Sequence, residues 1–376
     1  MGEHLSRRRA DEAAPALHAL PPGLVNLADH EAHARRVMDS RAWAYFSGGA
    51  GDAITMRANR DAWDAIELRP RVLAPLAGLD TRTTLLGRTC PAPLLVAPMA
   101  HQGLAHRDGE RATALAASAL GVGMVLATQS GTSLEEVAQD YLPEADRGPM
   151  WFQLYWQGDR SWARELAARA QRAGYEALVL TVDAPLQGVR DAERRSGFAL
   201  PAGYPAPHLP PKAGEGDLAG LLAKAPTWDD VAWLRGESPL PLLLKGITHP
   251  ADADLACDLG VAGIVVSNHG GRVLDTVPAT ARLLPGIVDE VRGRCAVLVD
   301  GGVRRGTDVV KAIALGADAV LVGRPVLYGL ANAGATGVAH VLRLLLDEFA
   351  AAMALCGKRR VAELRGPELV GLPVRP

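Results

Sequence analysis

A short apolar run ending in polar residues returns eight times along this chain, and few folds can use such a pattern. The runs are APLLVAP (92–98), LGVGMVLATQ (120–129), PMWFQLY (149–155), AGYEALVLTVD (173–183), PLPLLLK (239–245), LGVAGIVVSN (259–268), RCAVLVD (294–300) and LGADAVLVGR (315–324). Continuous apolar, β-branched stretches of this kind fill parallel sheets covered on both faces. Between most of them lie segments with helical period: Asp108–Leu120, Leu134–Gln139, Ser161–Arg172, Ala251–Leu259, Ala279–Val291 and Thr307–Leu315. Gly121, Gly174, Gly260 and Gly316 stand where a helix C-terminus needs a left-handed residue. Strand, loop and helix repeated eight times predict an α/β fold, a (β/α)8 TIM barrel. A doubly wound open sheet is the rival, and the count of eight with one long late loop favours the barrel.

The rest of the chain arranges itself around that core. Residues 1–22 are expected to be a disordered tail: Arg7-Arg8-Arg9 is followed by no apolar stretch that would make a signal peptide. Residues 23–370 then form a single domain. It opens with a helical extension from 29 to about 68 and carries a Pro- and Gly-rich loop over 188–227, after strand four, long enough to be a lid. Residues 335–356 read as the last helix. No apolar run is long enough to span a bilayer, so no stable membrane insertion is expected. Lys and Arg number 40 against 42 Asp and Glu, a net charge of −2, which argues against a basic nucleic-acid-binding face. The four cysteines, Cys90, Cys257, Cys295 and Cys356, lack metal-ligand spacing and read as reduced thiols of a cytoplasmic protein with no metal site.

In a (β/α)8 barrel the chemistry sits at the C-terminal ends of the strands. Those ends carry Pro98-Met99-Ala100, Thr128-Gln129, Gln153 and Tyr155, Thr181 and Asp183, Lys245, Ser267 with His269 and Arg272, Asp300-Gly301-Gly302 with Arg304, and Gly323-Arg324. Any one of these could be structural; eight polar ends on apolar strands are harder to explain that way. DGGVRRG and GRP, after strands seven and eight, combine glycines with guanidiniums where barrels commonly hold a phosphate.

VSNHGGR, TVDAP, FQLY, LLLKG, LDGGVRRGTDV and LVGRP together resemble the FMN-dependent 2-hydroxy-acid dehydrogenase/oxidase family, in order, from about residue 29 to 360. The resemblance implies a (β/α)8 barrel with FMN at its C-terminal mouth. It gives the phosphate to Gly302, Arg304, Gly323 and Arg324, with Asp300 and Gly301 beside them. Flavin-ring or ribityl contacts fall to Gln153, Thr181, Lys245 and Ser267, and the backbone of Pro98, Met99 and Ala100 lies along the ring. His269 matches the catalytic base, Asp183 the carboxylate that orients it, and Tyr155 the hydroxyl that meets the reacting oxygen. Lys245 would stabilise negative charge on the reduced flavin. Arg190, Arg272 and Tyr45 match the groups that bind the substrate carboxylate.

Three positions depart from the family pattern. Ala127 stands where many relatives have a flavin-contacting Ser, leaving Thr128 as the candidate contact. Gln129 and Gln187 stand where relatives carry aromatic or apolar side chains, which suggests a substrate side chain that is polar or larger than methyl, or water in that space; the alternative is that both amides face solvent under the loop. The implied reaction is oxidation of an L-2-hydroxy acid to the 2-oxo acid with O2 as acceptor, giving H2O2. The alternative is a dehydrogenase passing electrons to a quinone or other carrier. Isomerase-type FMN barrels share the phosphate end but leave His269, Arg190 and Arg272 unexplained. The resemblance also implies a homo-oligomer, a tetramer.

Overall fold

The computed structural model describes residues 15–210 and 217–371. Eight parallel strands close into a barrel: β1 Leu94–Val96, β2 Gly123–Leu126, β3 Met150–Tyr155, β4 Ala177–Thr181, β5 Leu242–Ile247, β6 Gly263–Val266, β7 Ala296–Val299 and β8 Ala319–Val322. Each strand pairs with the next, and β8 returns to β1 through Val320↔Leu94 and Val322↔Val96. All eight sequence runs are strands. The intervening helices fall at Gly109–Ala119, Leu134–Tyr141, Arg160–Arg172, Pro250–Asp258, Thr280–Val291 and Gly306–Ala314, within two residues of expectation. Gly121, Gly174, Gly260 and Gly316 all have positive φ, as helix ends there require.

Strand side chains alternate between the inside and the outside of a barrel. The inside is apolar, filled by Leu95, Val125, Trp151, Ala177, Val179, Leu243, Val265, Leu298, Ala319 and Leu321. Its floor is a hairpin, Thr83–Leu85 against Arg88–Cys90, whose Leu85 and Cys90 join this cluster. The outside of the strands packs on the surrounding helices in a second, larger apolar cluster.

The helical extension is three helices, α1 Leu27–Val37, α2 Ser40–Ser47 and α3 Ile54–Ala65. The last helix covers 335–355, within one residue of expectation, and a further helix over 324–332 runs directly from β8, separated from it by a break at Ala333 and Gly334. Residues 1–14 of the expected tail lie outside the described residues. Leu17, within 15–22, makes a bridge to Gly334 at that break. The loop after β4 holds short helices at Asp191–Ser196 and Leu218–Ala223, and its residues 211–216 lie outside the described residues. All four cysteines are free thiols; Cys90 and Cys356 are buried, whereas Cys257 and Cys295 are half-buried with their sulfurs 3.5 Å apart.

Candidate active site

Extending the inward-facing phase of each strand by two residues leads from the apolar interior to the mouth. Val125 leads to Ala127, Trp151 to Gln153 and Tyr155, and Val179 to Thr181 and Asp183. Leu243 leads to Lys245, Val265 to Ser267 and His269, Leu298 to Asp300 and Gly302, and Leu321 to Gly323. The site is therefore the continuation of the core, with polar residues replacing apolar ones at the last inward positions. A cavity of about 960 Å³ opens there. Of the residues expected at the site, all but Asp183, Thr128 and Ser267 line it.

Thr128 is out of phase with the inward positions, and it corrects the expectation. Its hydroxyl donates to Gln153 O at 2.6 Å and accepts from Tyr155 N–H at 3.0 Å, while its own N–H donates to Gln153 Oε1. It is fully buried and braces β3 rather than facing the cavity; Ala127 takes the lining position. Ser267 is in phase but lies beneath the lining. Its Oγ accepts from Lys245 Nζ at 2.9 Å and from His269 N–H at 3.1 Å, so it positions both.

The titratable groups form a connected set. His269 has φ +56, a left-handed conformation that bulky residues rarely adopt and that functional sites retain. Its Nδ1–H donates to Asp183 Oδ1 at 3.0 Å, which leaves Nε2 as the free base, 3.2 Å from the Tyr155 hydroxyl. Burial pushes the imidazole below its ordinary range and outweighs the upward pull of Asp183, so it is neutral at neutral pH. Burial alone would raise Asp183, but His269 and Lys245 together hold it below the usual carboxylate range. Lys245 is kept charged against the cost of burial by Asp300, whose Oδ2 is 3.0 Å from Nζ, and by Asp183. One oxygen each of Asp183 and Asp300 is buried without a hydrogen-bond partner.

Tyr45, Arg190 and Arg272 converge beside this set. The Arg272 guanidinium lies 5.2 Å from the centre of the Tyr45 ring, and its Nη1 donates to the carbonyls of Tyr45, Phe46 and Gly48 at the end of α2. Arg190 Nε donates to Arg272 O. Glu193, one helical turn after Arg190, pairs with Arg190 at 3.1 Å and with Arg272 at 3.5 Å. Glu193 was missed in the sequence, although its spacing from Arg190 is that of a helical ion pair.

The far end of the cavity is cationic. Arg324 is half-buried and, among the described residues, its guanidinium donates to the carbonyls of Phe46, Gly48 and Gly270. Burial, with Arg272 and Arg304 nearby, pushes it down to about 9. Neither Arg304 nor Arg324 makes an ion pair among the described residues. Two guanidiniums with no ion-pair partner among the described residues, at the ends of β7 and β8, fit a phosphate. The adjoining glycines have a further role: a Cβ on Gly302 (φ +82) would lie 2.5 Å from Asn59 O on α3. Trp63 Nε1–H donates to Gly301 O, and Asn59 and Asn268 exchange two amide hydrogen bonds at 2.9 Å. The DGG turn thus has to be glycine to admit α3. Asn59, Trp63 and Asn268 also escaped the sequence reading, because their pairing spans some two hundred residues.

Fold and site together define an α/β-barrel enzyme with an imidazole–carboxylate pair, an anchored ammonium and two pairs of guanidiniums in one mouth. Comparison with known proteins gives the family. Residues 34–370 match the family of FMN-dependent dehydrogenases, and the chain belongs to it. It is 47% identical to an L-lactate oxidase of Nostoc sp. over 90% of this chain and 96% of that protein. It is 43% identical to a glycolate oxidase of Spinacia oleracea over 91% of this chain and 94% of that one. A solved structure of mandelate oxidase with (S)-2-phenylpropionate superposes with a TM-score of 0.84 at 43% identity, covering 92% of this chain and 98% of that chain. The cofactor of this family is FMN.

Proposed function

We propose that the protein oxidises an L-2-hydroxy acid to the 2-oxo acid and delivers the two electrons to O2, which leaves as H2O2. The observation that carries this reading is the His269–Asp183 pair, its free Nε2 beside the Tyr155 hydroxyl, set against the guanidiniums of Arg190 and Arg272. The relatives named L-lactate oxidase, glycolate oxidase and mandelate oxidase support it.

Bound FMN supplies the two-electron acceptor. Arg304, Arg324, Gly302 and Gly323 would hold its phosphate, with Asp300 and Gly301 beside them. Gln153, Thr181 and Lys245 would contact the remainder, with Pro98, Met99 and Ala100 along the opposite wall. Arg190 and Arg272, with the Tyr45 hydroxyl, bind the substrate carboxylate and so fix the α-carbon. Glu193 screens the two cations from each other until the carboxylate arrives. His269 Nε2 takes the proton of the α-hydroxyl, and Asp183 stabilises the imidazolium that forms. Tyr155 donates to the same oxygen as it becomes a ketone. Gln129 and Gln187, at the cavity wall, face the substrate side chain. The reading carries with it a cytoplasmic homotetramer, whose mass sedimentation would give.

The test is an anaerobic titration of the yellow protein with a panel of L-2-hydroxy acids, followed by air. Bleaching by one acid, then rapid recolouring with stoichiometric H2O2, is the expected result. Slow recolouring in air would remove O2 as the acceptor. No bleaching by any acid would overturn the reading.

A further inference from the structure

The loop after β4 meets the barrel through one side chain whose bonds the catalytic reading does not use. His208 is fully buried. Its Nε2 accepts from Leu134 N–H at 2.8 Å, the first amide of the helix Leu134–Tyr141, which has no partner within the helix. Its Nδ1–H donates to Thr128 O at 3.1 Å, with Ser130 Oγ at 3.3 Å, and its ring stands edge-on to Phe152. The backbone on either side is held as well: Trp162 Nε1–H donates to His208 O, and Arg169 Nη1 to Pro207 O. Four residues earlier, the Tyr204 ring packs edge-on against His101, which lines the cavity. Its hydroxyl fills a notch between Gly103 and Gly131, where a Cβ would lie 2.8 and 3.0 Å away. Leu209 and Pro210, directly after His208, are cavity wall, as is Phe198, which stacks on Tyr45 at 4.6 Å.

We propose that His208 is the latch that holds this loop over the mouth of the barrel, a positioning residue that completes the substrate cavity without touching the reacting atoms. The latch works only with a neutral ring, because both nitrogens are committed, one as acceptor and one as donor. A second proton would face Leu134 N–H, donor against donor, at the positive end of a helix. The charged groups around it are Glu135 and Glu136 on that helix and Arg169 on the next, and Arg169 is engaged bidentately by Glu135. Burial holds the docked ring down at about 4, against an ordinary 6.5. Docking is therefore complete above pH 6.5 and weakens as the pH falls toward 4. Between pH 7 and pH 5 the docking equilibrium drops on the order of tenfold.

This inference rests on the cavity being the active site, but its first test does not use turnover. Hydrogen–deuterium exchange of residues 198–210 is compared, in FMN-loaded protein at pH 7 and pH 5, for the native chain, His208→Ala and His208→Gln. Gln keeps an acceptor and a donor but does not titrate. The expected result is a loop that loosens between pH 7 and pH 5 in the native chain, is loose at both in His208→Ala, and is protected at both in His208→Gln. In kinetics at pH 7, His208→Ala raises KM about tenfold with kcat changed less than threefold, and His208→Gln restores KM. A His208→Ala protein with a lower melting temperature but native loop exchange and native KM would reduce His208 to a structural residue. Equal pH dependence in the native chain and His208→Gln would assign the titration to another group. If no acid reduces the flavin, the functional reading fails, and the exchange data still decide the latch.

Discussion

Among the residues His269 matters most, because its two nitrogens have separate partners: Nδ1 is held by Asp183, and Nε2, the proposed base, meets the Tyr155 hydroxyl. Replacing it with Gln removes the base but keeps the size and a hydrogen bond. The His269→Gln protein should stay folded and yellow while the rate of flavin reduction falls by about 10²–10⁴-fold, read by anaerobic stopped flow. A reduction rate within tenfold of the native one would mean that another group takes the proton. The pH dependence has a definite sign. The imidazole lies below its ordinary range because of burial, so the base is already neutral at pH 7. kcat/KM should be flat above about pH 6.5 and fall on the acid side only. Arg190 supports a second prediction. It is pinned between Glu193 and Arg272 O in a fork geometry that an ammonium cannot copy. Arg190→Lys should raise KM at least about tenfold with FMN content unchanged; an unchanged KM would remove it from the carboxylate site.

The elements explain why these residues meet. Helix α3 is not part of the repeated unit, yet it governs the DGG turn. Asn59 reaches Asn268, Trp63 reaches Gly301 O, and Arg60 bridges to Gly302 O and Asp308. Gly302→Ala places a methyl against Asn59 O in a left-handed backbone. It should cost about 1–3 kcal/mol of stability and reduce the FMN retained on purification. A melting temperature and flavin content equal to the native protein's would show that α3 yields without consequence. Asn59→Ala strips the Asn268 amide of both its exchanged bonds and should cost a similar ~1–3 kcal/mol in urea unfolding.

The molecule as a whole carries several buried neutral histidines, and their sum shows as acid sensitivity. His30, fully buried between α1 and the last helix, shares its ring nitrogens with His340 at 2.9 Å and with the Asn332 amide at 3.1 Å. Burial, then His340, pushes it down to about 4, and burial does the same to His101 and His208. Each is neutral in the folded state and titrates near 6.5 in the unfolded one. Their stabilisation is complete above pH 6.5 and declines as pH falls toward 4, by about 1–2 kcal/mol per ring at pH 5. Urea midpoints at pH 7 and pH 5 should differ in that direction, and the difference should shrink in His30→Asn. A midpoint that rises on acidification would contradict the sign.

Two kinds of information separate across these scales. The eight apolar runs, their glycine punctuation and the polar tips were local, so the sequence by itself determined the barrel, the end at which its cavity opens and many of the polar residues that line it. Even the exchange of Thr128 for Ala127 was legible in principle, since strand parity alone turns Thr128 outward. What the tertiary structure decided was pairing at a distance. Glu193 screening two arginines, α3 closing over the DGG turn, Leu17 bridging to Gly334 at the break before the last helix, and His208 seated on another unit's helix all depend on contacts between segments far apart in the chain. Such contacts leave no period in the sequence, because what selects the residue is a partner's geometry and a desolvated hydrogen bond rather than the phase of its own element.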